Sequence, residues 1–125
     1  MRPLDLLYVD DDPDMHELAD IALSLDPQIS VTFAASGEEA LSILERFHPD
    51  GVLLDVVMPG LDGPAVLERM RQIPGHEETP VVFVTGHTHA VTLQELRAMG
   101  GKGAVTKPFD PKFLAKNVRM FLGAG

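Results

Sequence analysis

The stretch "LLYVDDDPDMHEL", residues 6–18, runs from apolar residues through three consecutive acids into Pro13, then into a polar segment with Met15 and Leu18 at helical spacing. A short apolar run that ends in turn chemistry reads as a buried strand. Asp before Pro reads as a helix start, because Pro suits the first helical position and the Asp side chain accepts from a free backbone N–H. One cap needs one acceptor. Asp10, Asp11 and Asp12 supply three mutually repelling carboxylates, so Asp12 is expected to cap and the other two point to a bound cation.

The same unit recurs outward from this stretch. Apolar, partly β-branched runs stand at Leu4–Val9, Ile29–Ala34, Gly51–Leu54, Val81–Val84 and Gly103–Thr106. Segments of helical periodicity lie between them: Met15, Leu18, Ala22 and Leu25; Ala40, Leu44 and Phe47, behind the capping-box pattern of Ser36 and Glu39; Val66, Leu67, Met70 and Ile73; Val91, Leu96 and Met99; Phe113, Leu114, Val118, Phe121 and Leu122. Five βα units in strict alternation predict a parallel sheet with helices on both faces, since each parallel connection needs a crossover. Continuous runs such as Val81-Val82-Phe83-Val84 suit strands buried on both sides. The expected class is α/β, doubly wound, and its ligands belong at the carboxyl ends of the strands. Ile73–Pro80, with its Pro and Gly breakers, is expected as a surface loop.

Length and composition set bounds. The 125 residues suit a single domain over 1–125, and the chain stops soon after the fifth helix, so no output domain is expected within it. No apolar run approaches the roughly 18 residues of a membrane span and no secretory pattern opens the chain, which makes cytoplasmic location the default expectation. Absence of cysteine excludes disulfides, thiolate metal sites and Cys nucleophiles. A net charge of −9 argues against direct nucleic-acid binding. The last helix departs from that trend with Lys112, Lys116 and Arg119 on one face, expected as a solvated stripe, with a docking patch for an acidic partner as the alternative.

Asp10, Asp11, Asp55, Thr85 and Lys107 all fall at strand ends on the same edge of this sheet. Carboxylate oxygens without His or Cys favour Mg²⁺, with Mn²⁺ as an alternative. Beside such a cation, the Lys107 ammonium, the Thr85 hydroxyl and the Gly86 backbone N–H would receive the oxygens of a phosphoryl group. Phosphoryl transfer needs mainly positioning and charge stabilisation, so a carboxylate can then serve as nucleophile. Asp55, expected alone in its loop, is the candidate. His87 and His89 lack the third ligand a zinc site requires.

These residues resemble the receiver domain of two-component response regulators (CheY-like), and the resemblance covers essentially the whole chain. It rests on "YVDDD" at 8–12, "GVLLDVVMPGLDG" at 51–63, "VVFVTG" at 81–86 and "AVTKPF" at 104–109, with intervals of 44, 30 and 22 residues from Asp11 to Asp55, Thr85 and Lys107 in turn. The resemblance implies a flavodoxin-like fold with strand order 2-1-3-4-5, and Asp55 as phosphoacceptor. It implies Mg²⁺ held by Asp10, Asp11, Asp55 and the Val57 backbone carbonyl, a mobile Thr85 hydroxyl, and a cis Lys107–Pro108 peptide. The phosphodonor would be a histidine kinase or histidine phosphotransfer protein, in a phosphorelay in which the receiver catalyses its own phosphorylation. A protein partner would read the face of the fourth helix, fifth strand and fifth helix, with the receiver as monomer or weak dimer and no membrane partner.

Two positions depart from the family pattern. The aromatic residue that often stands three before the lysine is Ala104 here, so the aromatic half of the usual switch is missing, although Ala104 contributes no atom to the chemistry. Val57 and His87 stand where side chains of relatives steer hydrolytic water; Val57 can only block it and His87 could orient or exclude it, which predicts slower loss of phosphate than in receivers with a carboxamide or carboxylate at these two positions. Val57 also stands where an aspartyl-phosphate phosphatase of the haloacid dehalogenase type needs a second acid, and that argues against such an enzyme. A pseudo-receiver, acting as a binding scaffold without phosphorylation, is the alternative.

Overall fold

Five strands alternate with five helices in the computed structural model, which describes residues 3–86, 92–107 and 109–123. In chain order they are β1 (Leu4–Val9), α1 (Pro13–Leu23), β2 (Ile29–Ala34), α2 (Gly37–Leu44), β3 (Gly51–Asp55), α3 (Gly63–Met70), β4 (Val81–Thr85), α4 (Leu93–Ala98), β5 (Gly103–Thr106) and α5 (Leu114–Leu122). All strand pairings are parallel and the sheet order is β2-β1-β3-β4-β5, the flavodoxin-like arrangement.

Side-chain alternation along the strands divides the core in two. Leu7, Val9, Val52, Leu54, Val81 and Phe83 face α2, α3 and α4, where Ala40, Leu44, Val66, Leu67, Met70 and Leu96 meet them. Leu6, Tyr8, Leu53, Val82, Val84 and Val105 face α1 and α5, where Ala19, Ala22, Leu23, Leu114 and Val118 complete the second cluster. Burial on both faces accounts for the near-continuous apolar runs. A Cβ at Gly103 would collide with the Phe121 ring, so glycine at the start of β5 is what admits α5 to the sheet.

Helix starts follow the side-chain chemistry of the sequence. Asp12, Ser36, Asp62 and Thr92 each accept from a backbone N–H of the first turn, at Asp14, Glu39, Ala65 and Glu95 respectively. Glu39 completes its box one residue early, accepting from the Ala35 N–H at 2.6 Å rather than from that of Ser36.

Several expectations need correction. The solvated stripe on the last helix loses Arg119, which is 4% exposed and donates through Nε to Asp26 Oδ2 at 2.7 Å, from α5 to the turn between α1 and β2. Lys112 and Lys116 are exposed as expected. Leu25, Met99 and Phe113 lie exposed beyond the helix ends, where their periodicity no longer aims them at the core. The Ile73–Pro80 loop carries a fully buried residue, His76. Its ring bridges the Leu44 carbonyl at 2.7 Å and the Thr79 hydroxyl at 2.8 Å, and it stacks on His48. Val91, His87, His89 and Pro108 lie outside the described residues.

Candidate functional site

Where the chain leaves β1 for one side of the sheet and β3 for the other, a crevice opens at the strand carboxyl ends. The register pairs Val9 with Leu54, which sets Asp10 beside Asp55. Asp55 is the last residue of β3 rather than a loop acid; it pairs with Val84 and is buried. Asp11 is exposed one residue beyond Asp10. One carboxylate oxygen from each of the three acids lies within 4.8 Å of the others.

Lys107 follows β5 and reaches across β4 into this cluster. Its Nζ lies 2.9 Å from Asp10 Oδ2 and 3.1 Å from Asp55 Oδ2. Burial would lower the lysine pKa, but hydrogen bonds to Asp10 and Asp55 and their charges outweigh it and raise the value. Asp55 moves upward to about 6, because burial and then the charge of Asp10 disfavour its ionised form more than Lys107 favours it.

The Asp55 Oδ1 atom is buried without a hydrogen-bond partner among the described residues. A buried carboxylate oxygen in that condition is costly and calls for a cation or an ordered donor. Three hard oxygen donors converging beside an unpartnered oxygen fit Mg²⁺, which takes one or two carboxylates and keeps water in its remaining positions. Val57 stands two residues after Asp55 with its side chain exposed. Behind Asp55, a Cβ at Gly63 would overlap the Asp55 carbonyl oxygen and reach the Val56 Cα, so the start of α3 can lie against β3 only as glycine.

Thr85 ends β4, pairs with Thr106, and its carbonyl accepts the Lys107 N–H at 2.7 Å. The hydroxyl and the ammonium are thus carried by adjoining backbone. Ala104 is half-buried against the α2–α3–α4 core, and with Thr106, Asn117 and Phe121 it borders an open hollow of about 340 Å³ between β5 and α5.

Two neighbours of the acids carry no motif. Tyr8 is fully buried, and its hydroxyl donates to Asp10 Oδ2 at 3.2 Å; burial, and next the Asp10 charge, raise its pKa. His16, on the first turns of α1, bonds through Nε2 to the Asp10 carbonyl at 2.5 Å and stacks on Phe33. The strand–helix alternation leaves both looking like ordinary core and surface residues. Only the i to i+2 relation of Tyr8 and Asp10 on one strand face carried a signal.

Comparison with known families matches the response regulator receiver domain over residues 6–119. The chain belongs to that family. A relative from Leptolyngbya boryana, described as an uncharacterized 14.6 kDa protein in the sodA1 3' region, is 36% identical, covering 97% of this receiver and 92% of its own length. A probable transcriptional regulator, ycf27, of Porphyridium aerugineum is 33% identical over 98% of the receiver, which spans only 49% of that protein. A crystal structure provisionally assigned as a response regulator, from Chloroflexus aurantiacus, superposes with a TM-score of 0.87 at 33% identity, covering 98% of the receiver and 99% of the other chain. No helix among the described residues is long and apolar enough to cross a membrane.

Proposed function

We propose that this receiver is a phosphorylation switch in which Asp55 accepts a phosphoryl group from a histidine kinase or histidine phosphotransfer protein. The observation that carries the reading is the meeting of Asp10, Asp11 and Asp55 with the Lys107 ammonium, around an Asp55 oxygen that has no hydrogen-bond partner among the described residues. In the transfer, an Asp55 carboxylate oxygen forms the new P–O bond, the P–N bond of the phosphohistidine breaks, and its electron pair leaves with the imidazole. Lys107, held at the site by two acids, neutralises charge on the phosphoryl oxygens; the Thr85 hydroxyl and Gly86 N–H receive others. Asp10, Asp11, Asp55 and the Val57 carbonyl would hold the cation, Mg²⁺ or in its place Mn²⁺. Bound there, the cation would screen the acids from one another and offset the charge of the incoming group.

The domain is a signalling switch rather than a turnover enzyme, located in the cytoplasm, and it loses its phosphate slowly because Val57 shields the acceptor. Output passes to a protein partner through α4, β5 and α5, with no direct nucleic-acid contact, the receiver being a monomer or weak dimer. With Ala104 in the aromatic position, the hollow between β5 and α5 stays open to a partner side chain. The test is intact mass after incubation with Mg²⁺ and acetyl phosphate, beside Asp55→Asn. One added phosphoryl group in the parent and none in the variant supports the switch. No addition in either, with Mg²⁺ bound, favours the pseudo-receiver scaffold.

A further inference from the structure

We propose that the Tyr8 hydroxyl is a positioning group for the divalent-cation site, holding the Asp10 carboxylate in the orientation in which it meets Asp11 and Asp55. The inference rests on the reading of those acids as cation ligands and adds a residue from outside the cluster. Three donors converge on Asp10: the Asp12 N–H on Oδ1 at 3.0 Å, and Lys107 Nζ at 2.9 Å and the Tyr8 hydroxyl at 3.2 Å, both on Oδ2. They are not equivalent. The Asp12 amide belongs to the turn that caps α1, and the lysine divides itself between two acids. Tyr8 is the donor with a rigid mounting: it is the penultimate residue of β1, fully buried, with its backbone held between β2 and β3.

A phenol buried this deeply has no water to turn to, so losing Asp10 would strand its hydroxyl, and losing Tyr8 would leave Asp10 Oδ2 to a lysine that it shares with Asp55. Groups that hold metal ligands from behind set ligand orientation, and removing one costs about 10–100-fold in affinity in well-studied sites. Packing alone does not require the oxygen, since Phe fills nearly the same volume. The hydroxyl at position 8 is therefore the separable element.

The chain has one tyrosine and no tryptophan, so its emission reports on Tyr8 directly. Mg²⁺ is titrated into wild type, Tyr8→Phe and Phe33→Leu by calorimetry, and wild-type tyrosine emission is followed in parallel. Expected are a Kd about tenfold weaker in Tyr8→Phe, a Phe33→Leu Kd within about twofold of wild type, and wild-type emission that changes along the calorimetric isotherm. An unchanged Kd in Tyr8→Phe overturns the proposal, as does an equal loss in Phe33→Leu, which would assign the effect to packing. Should Tyr8→Phe fail to fold, flat wild-type emission across the range where heat reports binding overturns it. Absence of Mg²⁺ binding in wild type removes the cation reading itself and this inference with it.

Discussion

Replacing Asp55 with asparagine should make the protein more stable at neutral pH. Asp55 has its pKa raised from 3.8 to about 6 by burial and by the neighbouring Asp10, so its ionised form is held in the native state at a cost. Each pKa unit corresponds to about 1.4 kcal/mol, which sets a ceiling near 3 kcal/mol. An amide keeps one oxygen for Lys107 but weakens that bond, leaving an expected gain of about 1–2 kcal/mol for Asp55→Asn. The sign follows from proton counting. Between the usual carboxylate range near pH 4 and the native value of about 6, the native state holds a proton that the unfolded chain has released, so wild-type stability rises as pH falls through that window. Asp55→Asn lacks this contribution, and its advantage should be full at pH 7 and shrink toward pH 4. Urea unfolding followed by circular dichroism, with chelator present, measures the gap at several pH values. A variant no more stable than wild type at pH 7, or a gap that ignores pH, would refute the argument from desolvation.

Three further outcomes follow from other parts of the molecule. Asp26→Asn removes the carboxylate charge that faces the buried Arg119 guanidinium and should cost about 3–5 kcal/mol in urea unfolding while Asp55 phosphorylation stays intact; because the Arg119 hydrogen bond holds Asp26 below the usual range, the wild-type contribution is present above about pH 4 and lost as pH falls through the lowered value. Gly63→Ala should destabilise by about 1–3 kcal/mol and slow phosphorylation from acetyl phosphate, because the added methyl must displace the Asp55 carbonyl; unchanged rate and stability would mean that α3 yields instead. Val57→Asn should shorten the phosphate half-life several-fold, read by release of inorganic phosphate, and an unaltered half-life would remove Val57 as the shield.

What could be read in advance was what periodicity and local chemistry determine. The runs 29–34 and 103–106 reappear as strands with the same ends, and Asp12 caps α1 through the acceptor its Asp-Pro dipeptide advertised. Asp10, Asp11, Asp55 and Lys107 meet because each sits at a strand's carboxyl end, a property of order rather than of any contact. The pairing of Asp26 with Arg119 could not be read this way, since it joins a turn residue to a helix residue 93 positions away. Asp followed by Pro is ordinary turn chemistry and signals no distant partner. His76 escaped for the same reason: its loop residues are polar and broken by Pro and Gly, yet the ring serves as a buried bridge between α2 and the approach to β4.

The division of the core into two faces has a consequence for how a chemical event at the crevice is distributed. Asp55 shares strand parity with Leu53, whose neighbours are α1 and α5, whereas Thr85 shares parity with Phe83 and Val81, whose neighbours are α2, α3 and α4. The Asp55 carboxylate and the Thr85 hydroxyl therefore speak to opposite sides of the same sheet. A shift of Thr85 presses on the layer that contains Ala104 and α4, while a change at Asp55, and through it at Asp10 and Tyr8, is felt first by α1 and α5. A phosphoryl group on Asp55, as proposed, would thus have two mechanical addresses, and partners docked on the two sides would be informed by different atoms.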